Sequence, residues 1–432
     1  MKQAEPLKPT ASRLAVIPLA VAYLVVPLGA ALTRLLGPTP EASPFLPWLV
    51  LAALGTIHAI LFRRSGARLK KQFFFELTMF LFLIGVVFLR REDILLQMGR
   101  LTLMAPELTP LIMLWFCGLW AITFGLPDRT AFQRYGAALG ALCVLDLGLE
   151  GVVYQAVPAL RWIGNSNVLA GLLLASLCAG LRPGRIEGGL FEPDQGASSW
   201  RILILAGLLA TLSRTGLFAA GWIYLFFGRG SRLVRVSVSL ACFLLLGITF
   251  LLPTAPTDLA RYVDYWLWAK SVNLFMQDPG VLLFGLPLSH ALPISFPPEM
   301  ARLWEAVTGA PVEIGIYLQQ VTSFWLRFIL GWGLIVPLFS LVGLFLLLFR
   351  RMTRMGAGLT AAIFAQGMST PLLYDPTLAT VTGLALFLAL AKPTPLPETN
   401  VRDSVAPKPD PDPKPAPKPD MDPAVEWDLR PL

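Results

Sequence analysis

Arginines set in an otherwise apolar sequence are the first residues whose chemistry can be read. Leu212-Ser213-Arg214-Thr215-Gly216 places a cation between two short apolar runs. An ionisable group at membrane depth is costly and marks function by default. Arg214 is therefore a candidate to hold an anion at a membrane surface. The plainer alternative is a snorkelling arginine at a tight helical turn. Arg261 opens a second polar stretch, Arg261-Tyr262-Val263-Asp264-Tyr265-Trp266, and Arg327 closes a third, Thr322-Ser323-Phe324-Trp325-Leu326-Arg327. Guanidinium groups brought to one place suit a phosphate or pyrophosphate, because the planar fork matches phosphate oxygens.

Other polar residues surround this set. In Gly164-Asn165-Ser166-Asn167, Asn165 and Asn167 either cap the following helix or line a polar pocket beside Arg161. His290, the only histidine in its connection, follows Gly285-Leu286-Pro287 and titrates where a general base is useful. Asp264 and Glu313 are the carboxylates that stand in if it does not serve. Asp146 and Glu150, four apart on one helical face, read either as a proton relay or as partners of arginines in the bundle. His58 reads as a hydrogen-bonded interior residue.

The four cysteines (Cys117, Cys143, Cys178, Cys242) lie in apolar runs without CxxC spacing and read as small core hydrophobes. With only two histidines in the chain, no metal and no cofactor is expected. The pairs Asp410/Asp412 and Asp420/Asp422 match a metal-binding DxD only formally, inside a Pro/Asp repeat.

The elements that must position these residues follow from composition. The 432 residues are 55% hydrophobic and 14% charged, against about 25% charged in soluble domains. That excludes an ordinary soluble domain and implies an all-α polytopic membrane protein. Twelve apolar stretches are predicted as spans, near 14–36, 46–62, 73–89, 108–126, 135–154, 167–181, 202–213, 216–227, 236–253, 330–349, 356–371 and 376–391. The seventh and eighth are short enough to be one broken helix. The first is too long for a signal-peptide core and is predicted to be retained.

Basic residues sit in alternate connections, including Arg63, Arg64, Lys70, Arg129, Arg134, Arg182, Arg201, Arg232 and Arg350. The positive-inside rule then places both termini in the cytoplasm. The net charge of +8 reports loop orientation, not nucleic-acid binding. The predicted domains are 1–253 (nine spans), 254–329 (a large extracytoplasmic loop between spans nine and ten), 330–392 (three spans) and 393–432. That last segment is a Pro-rich tail, predicted to be disordered and cytoplasmic.

Four stretches resemble the O-antigen ligase and Wzy-type polysaccharide polymerase superfamily. Gly164-Asn165-Ser166-Asn167-Val168-Leu169-Ala170 is similar to its Gly-Asn-x-Asn-x-x-Ala. Ser213-Arg214-Thr215-Gly216 is similar to its Ser-Arg-Gly turn. Arg261 to Trp266, with Pro279 and Gly285, resembles its loop pattern, and Leu326 to Gly333 resembles the end of its His-Asn-x-aromatic-Leu segment. The family's His-Asn itself falls on Thr322-Ser323.

The resemblance implies a GT-C-like, metal-independent inverting glycosyltransferase of the bacterial inner membrane, with its site on the periplasmic side. The donor would be a glycan on undecaprenyl pyrophosphate and the acceptor a saccharide or lipid, with the bilayer and a chain-length regulator as further partners and no nucleic acid. Arg214 and Arg327 would be catalytic, with His290 standing in for the family's missing histidine. Arg214, Arg261, Arg327, Arg161, Asn165, Asn167 and Tyr265 would bind pyrophosphate or glycan. A polymerase is preferred over a ligase because of the missing His-Asn pair. A transporter of lipid-linked sugars, or a scaffold working through the tail, are the readings from other classes.

Overall fold

The computed structural model describes residues 13–37, 44–62, 105–150, 160, 162–181, 200–228, 230–251, 259–288, 290–308, 316–349 and 353–391, with single residues at 75, 78, 79 and 82. Every element is helical, and among the described residues there is no strand. In chain order the helices are α1 (Arg13–Leu36), α2 (Leu46–Phe62), α3 (Thr109–Thr123), α4 (Arg129–Leu149), α5 (Ser166–Ala179), α6 (Trp200–Ala210), α7 (Arg214–Phe227) and α8 (Arg232–Leu251). They continue as α9 (Leu259–Gln277), α10 (Pro279–Phe284), α11 (Pro298–Thr308), α12 (Phe324–Trp332), α13 (Ile335–Phe349), α14 (Arg354–Gln366) and α15 (Pro376–Leu390).

Three stretches, Arg13–Leu36, Pro106–Thr123 and Arg232–Leu251, are long and apolar enough to cross a membrane. Shorter apolar helices run over Leu46–His58, Ser166–Ala179, Trp200–Ala210 and Pro376–Leu390. All but the third predicted apolar stretch coincide with helix. That one, 73–89, lies outside the described residues apart from 75, 78, 79 and 82, and the 393–432 tail lies wholly outside them. The described residues all fall within one compact unit, which ends at Ala391.

Close packing in the bundle rests on small residues, as expected where helices must approach without polar contacts. α4 crosses α6 with Gly140 against Gly207, and neither position has room for a Cβ. α7 packs between α8 and α14, while α5 contacts α4, α6, α14 and α15. α6 packs mainly on α4, and α7 mainly on α8 and α14, with α5 touching both, so they are two helices, not one broken one. The break falls at Leu212, whose φ of 50° lies in the left-handed region.

The connection after α8 is folded. Val263, Leu267, Leu288, Leu292, Trp304, Leu318, Leu326 and Leu330 form a small core of its own, and Trp268 packs on both this core and the bundle's. Full burial of such a side chain contributes about 1.5–3 kcal/mol, so several together hold the connection's helices and turns against one another. This unit runs past the predicted boundary at 329, because α12 ends only at Gly333, with φ 73°. Gly285, φ 77°, lies against Gly331 and Gly333 with no space for a side chain. That approach allows the Leu286 amide to donate to Leu330 O at 2.6 Å and the Leu334 amide to Leu282 O at 2.7 Å.

Candidate functional site

Several helix ends converge at one end of the bundle, and short polar residues join them. Asn165 N-caps α5, its Oδ1 accepting from the Asn167 amide at 2.9 Å. Ser213 N-caps α7 and donates to Asn167 Oδ1 at 2.7 Å. Thr215 Oγ1 lies 2.9 Å from Ser369 Oγ in the turn after α14. Ser323 N-caps α12 and donates to Gly367 O at 3.2 Å in that same turn. The Phe324 amide donates to Thr370 O at 2.9 Å. Asp146 fixes the approach to Asn165 by accepting from the Trp162 and Ile163 amides, each at 3.2 Å. Its carboxylate is thus held by backbone amides rather than by an arginine.

The result gathers the N-termini of α5, α7 and α12 around the 367–370 turn. Helix N-termini present unpaired N–H groups and the positive pole of the helix dipole, which favours an anion. Leu212 and Leu372 (φ 50° and 40°) are the described non-glycine residues with positive φ, and both flank this region. Backbone strain of that kind clusters at functional sites.

Arg214 occupies the first turn of α7, half-buried. Its Nε donates to Thr249 Oγ1 at 3.3 Å, its Nη2 to Thr249 O at 2.9 Å, and its guanidinium stacks 4.0 Å over the Phe250 ring. Thr249 and Phe250 belong to the last turn of α8, where the dipole is negative and a cation is stabilised. These contacts orient the fork and leave further N–H groups for a second acceptor.

Arg327 is placed differently from the open anion ligand expected. It is buried and pairs with Glu107, Nη2 lying 2.6 Å and Nε 3.0 Å from Oε1. Its Nη1 donates to Gln319 O at 3.3 Å, and the guanidinium lies 3.9 Å over the Tyr374 ring. Tyr374 also hydrogen-bonds Glu107. The fork is directed at a carboxylate that neutralises it, so Arg327 ties α12 to the start of α3 and to the turn before α15. Sequence reasoning missed Glu107. Nothing local links it to a residue 220 positions later.

On α9, Asp264 Oδ1 accepts from the Thr322 hydroxyl. Burial pushes the carboxyl up to about 6, opposed by that hydrogen bond. Thr322 immediately precedes the Ser323 cap, so Asp264 adjoins the gathered helix ends. Tyr265, next in sequence, is exposed on the outer side of α9 and does not share this position. His290 is exposed in a turn, its amide donating to Pro287 O at 3.3 Å. Arg161, Glu313 and the side chain of Arg261 lie outside the described residues. His58 packs against Phe124, ring centroids 4.6 Å apart. Among the described residues no group of His, Cys, Asp and Glu is arranged to hold a metal ion.

No protein-family model, curated protein or solved structure matches the chain. The geometry therefore bears the argument for function. It supplies a place for an anion, where Arg214 and helix N-termini meet, and, joined through Thr322 to the Ser323 end, a half-buried carboxylate able to take up a proton.

Proposed function

We propose that the protein is an inverting glycosyltransferase that moves a glycan from undecaprenyl pyrophosphate to an acceptor hydroxyl at the outer face of the bacterial inner membrane, as a polysaccharide polymerase. A ligase differs only in its acceptor. One observation carries the reading: hydrogen bonds between Ser213 and Asn167, Thr215 and Ser369, and Ser323 and Gly367 draw two of the resembling stretches, at 164–170 and 213–216, and the residues that lead into a third, at 326–333, to one end of the bundle. The proposal includes twelve spans in a GT-C-like arrangement with both termini in the cytoplasm.

The chemistry follows from the residues. The acceptor oxygen attacks the anomeric carbon as the bond to the pyrophosphate oxygen breaks, and the acceptor proton passes to Asp264. The departing pyrophosphate gains charge, which Arg214 and the N-terminal amides of α5 and α7 stabilise. Preorganised positive groups of this kind contribute about 10²–10³ in rate each. Arg327 is assigned to positioning, since Glu107 meets its charge.

The test is transfer by the purified, lipid-reconstituted protein from a lipid-pyrophosphate-linked oligosaccharide. Arg214→Ala should lower turnover at least about 100-fold. Arg214→Lys should restore only part, because an ammonium lacks the bidentate fork. Near-normal turnover in Arg214→Ala would overturn the assignment.

A further inference from the structure

The outer side of the folded connection carries an apolar stripe that neither its own core nor the bundle covers. On α9, Tyr265, Ala269, Val272 and Met276 follow one another at four, three and four residues, which places them on one helical face. Tyr265 is 57% exposed and Met276 78%. The opposite face, with Val263, Leu267 and Ser271, is buried. The stripe continues onto α10, where Phe284 is 67% exposed and Leu283 is also exposed. Between Tyr265 and Met276 this face holds no charged residue; Arg261 stands one turn before it and Asp278 at the junction of the two helices. Lys270 flanks it, its ammonium 5.9 Å over the Trp266 ring.

Position decides what covers this face. α10 is stitched to the start of α13 by the Leu334–Leu282 backbone bond and by the close approach of Gly285 and Gly333. α13 itself exposes Leu338, Phe339 and Val342. The apolar surface of the connection is therefore continuous with that of an apolar helix that leads back into the bundle. At its other end, α9 begins after residues 252–258, which follow Leu251, the exposed end of a helix able to cross a membrane. One end of the stripe is thus tied to the start of an apolar helix, and in sequence the other follows closely on a helix long and apolar enough to cross a membrane. A helix with an uncharged apolar face, flanking aromatic residues and a lysine at its border is the composition that lies in a membrane–water interface.

We infer that α9 and α10 lie flat in the membrane–water interface, with lipid acyl chains against Tyr265, Val272, Met276, Leu283 and Phe284. This does not depend on the glycosyltransferase reading. It depends only on the bundle being embedded in a bilayer. Asp264, on the inward side of the same helix, would then stand just above the headgroups.

The test uses the full chain in nanodiscs holding one protein each, with an environment-sensitive fluorophore on Met276→Cys or, separately, on Phe284→Cys. The native cysteines are buried. Both probes should emit to the blue of a probe on His290→Cys. Lipids carrying a quencher high on the acyl chain should quench them several-fold more strongly than aqueous iodide does. Iodide quenching equal to that at position 290 would overturn the inference. So would protection from iodide without lipid quenching, which would mean that protein covers the face. Protection that appears only with two copies per disc would assign the stripe to self-association and would equally overturn it.

Discussion

At Asp264 two opposing effects set the proton affinity: burial raises it and the Thr322 hydroxyl lowers it, leaving the group near 6. A base must be unprotonated, so turnover should fall as pH drops through about 6 and stay flat above it. Asp264→Asn should lower turnover by about 10²–10⁴ and remove that acid limb. Thr322→Val removes the bond that favours the charged form, so the limb should move to higher pH. His290→Ala should leave rate and profile unchanged; a lost limb in that variant would return the proton to His290. A pH–rate series on the three variants checks all of this. The sequence marks Asp264 as one carboxylate among several, and Arg214 stands out because it falls between two apolar runs. Thr322 is 58 positions from Asp264, and no local pattern announces their contact.

Among the elements, α12 depends most on a single contact. It is short, lies between Ser323 and Gly333, and reaches α3 through the buried Arg327–Glu107 pair. Removing one partner of a buried pair leaves an uncompensated charge and costs about 3–5 kcal/mol, whereas replacing both with apolar groups is close to neutral. Glu107→Gln should therefore lower the thermal midpoint in detergent by several degrees. The double variant Glu107→Leu/Arg327→Met should recover most of that loss. A Glu107→Gln protein as stable as the parent would show that the pair does not hold α12. Ser213→Ala, which removes the cap of α7 and the link to Asn167, should cost about 1 kcal/mol. Helix positions were largely legible, because apolar runs of sufficient length leave few alternatives. The division of the predicted tenth span into α12 and α13 was not. It follows from Gly333 adopting a left-handed φ against Gly285, a long-range approach that appears in the sequence only as two glycines.

Across the whole bundle, charge is distributed by end. α4 carries Asp146 to the end where Asn165 and Ser213 meet, so its first residue, Arg129, lies at the other. Arg201 bonds Gly180 O at that opposite end, where α5 finishes and α6 begins. Arg232 and Arg235 open α8, whose last turn holds Arg214, and Arg354 opens α14, whose last turn leads to Ser369. These arginines lie at the end away from the polar network, as the positive-inside rule requires if the network faces outward. Cytoplasmic basic residues resist translocation, whereas Arg214 is held by the α8 terminus and a stacked ring. A reporter fused at Ser231, between α7 and α8, should therefore read cytoplasmic, and one at Glu305 on α11 extracytoplasmic. Paired alkaline-phosphatase and fluorescent-protein fusions at the two sites measure this directly. A cytoplasmic signal at Glu305 would put Asp264 and Arg214 on the side of the membrane opposite to the one the proposed lipid-linked donor requires. The anion site would then have to serve a cytoplasmic ligand.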